Sequence, residues 1–326
     1  MSRHIPVLDL AEWRTAGADR RGEITAELDV SLRETGLFLL RGHGVPPELT
    51  DRMRTEGRAF FALPAETKRR YAVTRPYDNG WRGLGALDVG AVDGMDGMAG
   101  THDLHEAYHM GPDHRTGDAA FDAAYYPANK WPDERPGLKA TALEYTGHMT
   151  RVAHEVLEIL ARVLDLPEDF FTARSQRATW TQNVNWYPSL RAVGGVQEGQ
   201  MRVGPHTDFG TLSLLDRQQG VGGLEVWNEE EGWFRPPFEA GALVVNLGDL
   251  MNLWTDGRWC SLRHRVLAPS DSAPDEELVS LVCFFETDPD TEVVPLAVPA
   301  GGGRGMSAVV AGESILEKVG ATVTLG

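Results

Sequence analysis

Apolar residues recur at helical spacing through the first half of the chain and at strand spacing through much of the second. Ile24, Leu28 and Leu32 fall at i, i+4 and i+8, and Gly36 follows as a stop, which predicts a helix. Leu37-Phe-Leu-Leu40 then reads as a short buried strand ending at Gly42. Pro46 and Pro47 suit the first turn of a second helix whose apolar face carries Leu49, Met53 and Phe60. Residues 74–104 hold seven glycines and no period, which predicts a long loop region. The strongest helix spans 138–164. There Ala142, Tyr145, Met149, Val152, Val156, Ile159 and Val163 step alternately by three and four, one buried stripe that Pro167 ends.

From residue 179 the texture changes to short strands separated by turn residues, at 179–187, 201–216, 222–228, 241–247, 259–267 and 278–286. Strands of this length and spacing predict a β-sandwich or jelly roll. A glycine-rich segment at 301–305 precedes a closing helix at 308–319. The expected fold class is α+β with a mainly β core. The expected organisation is one domain over 1–326: a mostly helical region at 1–170, a jelly-roll core at 179–290 and a C-terminal helix and tail at 306–326.

Composition narrows the function. Of 326 residues, 42% are hydrophobic and 24% charged, values of a globular chain. Acids outnumber bases 48 to 31, for a formal charge of −17, which disfavours a nucleic-acid or anionic-membrane partner. Two cysteines, Cys260 and Cys283, make no disulfide framework and fit reduced, cytoplasmic thiols. The N-terminus shows no charged and then apolar leader, and the longest apolar runs are too short to span a bilayer. A small-molecule substrate is the expectation that remains; oligomeric state is not legible.

Histidine is scarce, so its positions can be weighed one by one. His206-Thr-Asp208 lies on an expected strand, where side chains two apart share a face. His264 lies on another expected strand and can supply a third ligand. Two imidazoles and one carboxylate leave part of a metal's coordination open, as in non-haem Fe(II) oxygenases. An isolated His-x-Asp is more often a hydrogen-bonded pair, so its context must carry the assignment. A rival motif is His105-Glu-Ala-Tyr-His109, which fits H-E-x-x-H and would make a zinc hydrolase with Glu106 as general base if it were helical. Gly111 and Pro112 follow at once, and Glu134 is only a weak third ligand. No nucleophile elbow, P-loop or dinucleotide fingerprint is present.

Context comes from motif order. Ile5-Pro-Val-Leu-Asp9, Gly36-Leu-Phe-Leu-Leu-Arg-Gly-His-Gly44, Asp103-Leu-His-Glu-Ala-Tyr-His-Met-Gly-Pro112 and Asn185-Trp-Tyr-Pro188 are followed by His206-Thr-Asp-Phe-Gly-Thr-Leu-Ser213. Gly222-Gly-Leu-Glu-Val226, Val245-Asn-Leu-Gly-Asp249, Trp254, Gly257-Arg-Trp259 and Ser261 to Val266 come next. Together they resemble the isopenicillin N synthase-like branch of the Fe(II)/2-oxoglutarate-dependent dioxygenases, over most of the chain. The resemblance implies a double-stranded β-helix (jelly roll) with the helical half packed against it. It also implies iron held by His206, Asp208 and His264, with 2-oxoglutarate and O2 as co-substrates. The reaction implied is hydroxylation, desaturation or cyclisation of a small molecule, as in secondary metabolism. No catalytic residue beyond the metal ligands is implied, and Asn185 and Tyr187 fall where the family contacts its co-substrate.

One departure stands out. The family clamps the distal carboxylate of 2-oxoglutarate with an Arg-x-Ser pair. One register places Val279 and Leu281 there; a shift by one places Leu278 and Ser280. Neither supplies arginine, and no Arg or Lys lies between Arg265 and Arg304. Arg202 shares strand parity with His206 and, with Ser280, is a candidate to contact that carboxylate. Arg263 and Arg265 should face away from His264, and Arg304 could fold in as a lid. An oxidase that binds substrate to iron without 2-oxoglutarate, as isopenicillin N synthase does, is the nearest alternative.

Overall fold

The computed structural model describes residues 5–86, 103–197 and 199–322. Its strands are β1 (Val7–Asp9), β2 (Leu37–Arg41), β3 (Gly80–Arg82), β4 (Glu106–Met110), β5 (Trp180–Tyr187), β6 (Val203–His206) and β7 (Leu212–Asp216). They continue with β8 (Gly223–Asn228), β9 (Gly232–Phe234), β10 (Leu243–Leu247), β11 (His264–Leu267), β12 (Leu278–Phe285), β13 (Glu292–Val293) and β14 (Val309–Val310). Eight strands make one sheet in the order β1-β2-β10-β7-β12-β5-β4-β3, and four make a second in the order β6-β11-β8-β9. Leu37, Leu39 and Val244 of the large sheet pack with Leu224 and Val226 of the small one, so the sheets lie face to face as a jelly roll.

Alternation along the strands gives the large sheet two different faces. Val279, Leu281, Cys283 and Phe285 of β12 join Leu212 and Leu214 of β7 in a core shared with the helices. The long helix Pro136–Val163 supplies Tyr145, Met149, Val152 and Val156 to that core, and the helices Ala18–Glu34 and Pro47–Phe61 pack beside it. Gly57 lets its helix approach β5 closely, because a Cβ there would meet Val184 Cγ1 at 2.6 Å. The opposite residues, Leu278, Ser280, Val282 and Phe284, face the cavity between the sheets. This alternation selects the register with Leu278 and Ser280 and turns Val279 and Leu281 toward the helices.

Three expectations change. The stretch 201–216 breaks into β6 and β7, with Asp208 in the connecting turn and not on the strand. That turn is held by the helix Asp249–Trp254: Asp249 N–H donates to Asp208 O at 2.8 Å and Leu250 N–H to Gly210 O at 3.0 Å. The expected loop at 74–104 contains β3, which pairs with β4, while its residues 87–102 lie outside the described ones. Within 259–267 only His264–Leu267 is strand. Among the described residues, no helix is long and apolar enough to cross a membrane.

Candidate metal and co-substrate site

His206 ends β6 and His264 begins β11, and the two are direct cross-strand partners, with ring centroids 4.1 Å apart. The turn after β6 brings Asp208 to both: its Oδ1 lies 3.8 Å from His206 Nε2 and 3.8 Å from His264 Nε2. Among the described residues these three form the one cluster with metal-ligand spacing.

Each candidate ligand atom is oriented by a hydrogen bond on its far side. His206 Nδ1 donates to Gly204 O at 2.8 Å and His264 Nδ1 to Leu262 O at 3.0 Å, which turns both Nε2 atoms toward the centre. Asp208 Oδ2 accepts from Ser213 Oγ at 2.5 Å and Asn246 Nδ2 at 2.7 Å, leaving Oδ1 for a cation. Burial and then the neighbouring His264 push His206 down to about 4, so it is neutral at neutral pH. Burial alone would raise the Asp208 carboxyl, but His264, His206, Ser213 and Asn246 outweigh it and keep it ionised. Neutral imidazole and ionised carboxylate are the forms a divalent metal needs.

Two cavities meet at this cluster, and His206, Asp208 and Phe284 line both. The first, about 240 Å³, lies between the sheets. Tyr187 and Ser280 face it with their hydroxyl oxygens 3.2 Å apart, and Asn185 lies directly opposite Ser280 with its buried Oδ1 lacking a partner among the described residues. The first cavity is also lined by Arg217, Arg235 and Phe238, which the sequence did not single out. Arg202 is buried, but Nη1 donates to Glu276 Oε1 at 2.8 Å and Nη2 to Glu276 O at 2.9 Å, and it does not line this cavity. Arg263 lies against Trp227 and Trp233, Arg265 pairs with Glu225 at 2.7 Å, and Arg304 is exposed.

The second cavity, about 250 Å³, is walled by Tyr77, Asn79, Arg82, His109, Asn183 and Glu286 and by Ile315, Leu316 and Val319 of the last helix, Ala311–Thr322. Three buried polar atoms on this wall have no partner among the described residues: Arg82 Nη1, His109 Nε2 and Asn183 Oδ1. The described residues of 189–201 line neither cavity.

The H-E-x-x-H segment is not the helix that zinc binding would need. Residues 106–110 are strand, not helix, so Glu106 points away from His105 and His109. Lys68 and Trp81 occupy its carboxylate, and His105 bonds to Arg202 O at 3.1 Å. No three-ligand cluster forms there among the described residues.

Burial pushes the Glu286 carboxyl up to about 8; the Thr211 N–H at 2.6 Å works against that rise and the Asp208 charge adds to it. Its carboxylate sits where a Cβ on residue 210 would be, with both oxygens within 2 Å, so glycine is required there. Between 4.5 and about 8 the folded chain therefore holds a proton that the unfolded chain has lost. Glu286 thus lowers stability as pH rises through that window. Denaturant unfolding of metal-free protein across the window is expected to show a shallower decline for Glu286→Gln than for the parent. An equal or steeper decline would remove Glu286 as its source.

Residues 5–134 match the family described as non-haem dioxygenase in morphine synthesis N-terminal, and residues 182–287 match the 2OG-Fe(II) oxygenase superfamily. The chain is 64% identical to validamycin A dioxygenase of Streptomyces hygroscopicus subsp. limoneus, over 98% of this chain and 86% of that one. A 2OG-Fe(II) oxygenase family protein from Caulobacter crescentus aligns with TM-score 0.80 and 26% identity, over 98% of this chain and 99% of that one. A dioxygenase for auxin oxidation in rice aligns with TM-score 0.70 and 26% identity, over 95% and 93%. A full-length Neurospora crassa protein in complex with alpha-KG shares the fold, with TM-score 0.82 and 21% identity over 97% and 95%. A jelly roll with a helical half, and a relative this similar over nearly the whole length, lead to one assignment: the chain belongs to the Fe(II)/2-oxoglutarate-dependent dioxygenase family, whose members use Fe(II), 2-oxoglutarate and O2.

Proposed function

We propose that this enzyme oxidises validamycin A or a close analogue, with Fe(II) held by His206 Nε2, Asp208 Oδ1 and His264 Nε2. The observation that carries this reading is the meeting of two cavities at one ligand cluster. The cavity between the sheets has the hydroxyls of Tyr187 and Ser280 for 2-oxoglutarate. The second holds the substrate, and its wall presents donors on Arg82 and His109 and an acceptor on Asn183, none of them satisfied by the described residues. Arg82 Nε donates to His109 Nδ1 at 3.3 Å, so the imidazole proton sits on Nε2 and is offered to the cavity. Such a wall suits a polar, hydrogen-bonding ligand, since an apolar one would leave those groups unpaired at a cost of about 1–3 kcal/mol each.

Bound iron supplies the activation of O2, at the expense of 2-oxoglutarate, which is converted to succinate and CO2. The chain's part is to position both organic ligands beside the metal and to keep water from the reacting carbon. The high similarity to validamycin A dioxygenase supports that compound as the first to test. With Fe(II), 2-oxoglutarate and O2, adding validamycin A is expected to raise succinate release and yield an oxidised product in equal amount. Succinate release that validamycin A does not change would overturn the substrate assignment. A polar analogue that does raise it would then define the true ligand.

A further inference from the structure

We propose that Arg217 anchors the distal carboxylate of 2-oxoglutarate, in place of an arginine at position 278. This rests on the co-substrate reading above and adds the residue that completes it. The family resemblance leaves the first cavity with a serine, Ser280, and a leucine, Leu278, where a serine and an arginine are expected. A dicarboxylate seated there has to be neutralised from elsewhere, in a chain whose net charge is −17.

Strand register identifies the source. β7 runs antiparallel beside β12, with Asp216 opposite Leu281 and Leu215 opposite Val282. Continued by one residue, that register puts Arg217 opposite Ser280. Opposed residues on neighbouring strands share a face. The alternation of β7 agrees. Leu212 and Leu214 point to the helices and Asp216 to Arg54 of the helix Pro47–Phe61, while Ser213 reaches Asp208 and Leu215 lines the cavity. Arg217 is the next residue of the inward set, and it lines the cavity. Asn185, Ser280 and Arg217 thus form one row across three strands, beside the Tyr187 hydroxyl.

The guanidinium is held but not neutralised. Nη2 donates to Pro236 O at 3.0 Å and Pro237 O at 2.5 Å, and the Phe238 ring lies 5.5 Å from Cζ. Among the described residues, Nε and Nη1 have no hydrogen-bond acceptor and no carboxylate lies within ion-pair distance. Two other arginines near this first cavity are committed: Arg202 to Glu276, and the half-exposed Arg235 to Glu225 at 3.8 Å. A partly buried guanidinium with Nε and Nη1 free, lining the same cavity as the Ser280 and Tyr187 hydroxyls, can donate a charge-assisted hydrogen bond to a carboxylate oxygen there.

The test is an anaerobic titration of the Fe(II) protein, following the visible charge-transfer band, with two 2-oxo acids. One is 2-oxoglutarate; the other is 2-oxopentanoate, of equal chain length but without the second carboxylate. Arg217→Met is expected to weaken 2-oxoglutarate binding by about 10- to 100-fold, the scale of a charged hydrogen bond, and to leave 2-oxopentanoate binding unchanged. Arg217→Lys keeps the charge but loses the planar guanidinium that Pro236 O and Pro237 O hold in place, and should fall between the two. It also carries the comparison should the methionine variant fold poorly, since the readout is the ratio of the two affinities within one protein. An unchanged ratio in both variants overturns the proposal. Absence of 2-oxoglutarate saturation in the parent protein would overturn the co-substrate reading, and Arg217's role with it.

Discussion

Replacing Asp208 with alanine is expected to abolish Fe(II)-dependent turnover and to weaken metal binding by more than about 100-fold. The bound is set by outer partners: losing one that orients a ligand costs roughly 10- to 100-fold in affinity. Asp208 is the only anionic member of the cluster, and its Oδ1 is the atom equidistant from both imidazoles at 3.8 Å. Removing it also strands the buried donors of Ser213 and Asn246, which are aimed at Oδ2. Asn246→Ala should show the smaller loss, because the carboxylate remains and only its orientation is freed. Equilibrium dialysis with Fe(II), alongside succinate release, separates the two cases. An Asp208→Ala protein that still binds iron and turns over would put the metal elsewhere.

How much of this site the sequence revealed depended on what fixed each residue. The imidazole pair was legible because β6 and β11 are ordinary strands whose ends carry histidine. Asp208 was grouped with them for a partly mistaken reason, since it converges with His206 through a turn and not through strand parity. That turn depends on backbone bonds to the helix Asp249–Trp254, distant in sequence and invisible to a periodicity argument. Arg217 was missed because its face is set by pairing with β12, whose register no local pattern reports. Alternation counted onward from Ser213 could have found it. The second cavity's wall drew on the last helix and on residues 76–79 for the same reason: tertiary closure gathered them. Helices were the easiest part. A stripe such as Ala142 to Ile159 repeats the same local spacing over several turns, and it alone determines which face is buried.

The two sheet faces also explain how the substitution at position 278 could be accommodated. Tyr187, Val203 and Leu278 form a small apolar cluster at the end of the cavity, with Val266 against it. A leucine there packs without a charge, and the cation moves one strand across to β7. The fold tolerates the exchange because every inward row of a jelly roll is contributed by several strands, any of which can present a long side chain to the same point.

The largest stability effect is expected far from the metal, at Glu106. Its carboxylate accepts from Lys68 Nζ at 2.9 and 2.7 Å and from Trp81 Nε1 at 2.6 Å, and the Lys68 and Glu106 side chains are only 8% and 11% exposed. Lys68 also donates to Phe61 O at 3.0 Å and lies 5.2 Å from the Trp81 ring, so the pair ties the helix Pro47–Phe61 to β3 and β4. Glu106→Ala leaves a buried ammonium with only the Phe61 carbonyl as partner and a half-buried indole N–H without its acceptor. Breaking one half of such a pair costs about 3–5 kcal/mol, whereas replacing both halves with apolar groups of similar size is often neutral or better. Denaturant unfolding should therefore show a loss of about 3–5 kcal/mol for Glu106→Ala and recovery of most of it in the Lys68→Met, Glu106→Leu double variant. β4 carries His109 and β3 carries Arg82, so the single variant should also lose substrate affinity as the wall of the second cavity loosens. The double variant should regain that affinity along with its stability. A catalytic role for Glu106 predicts the reverse, with stability little changed and turnover lost in both variants.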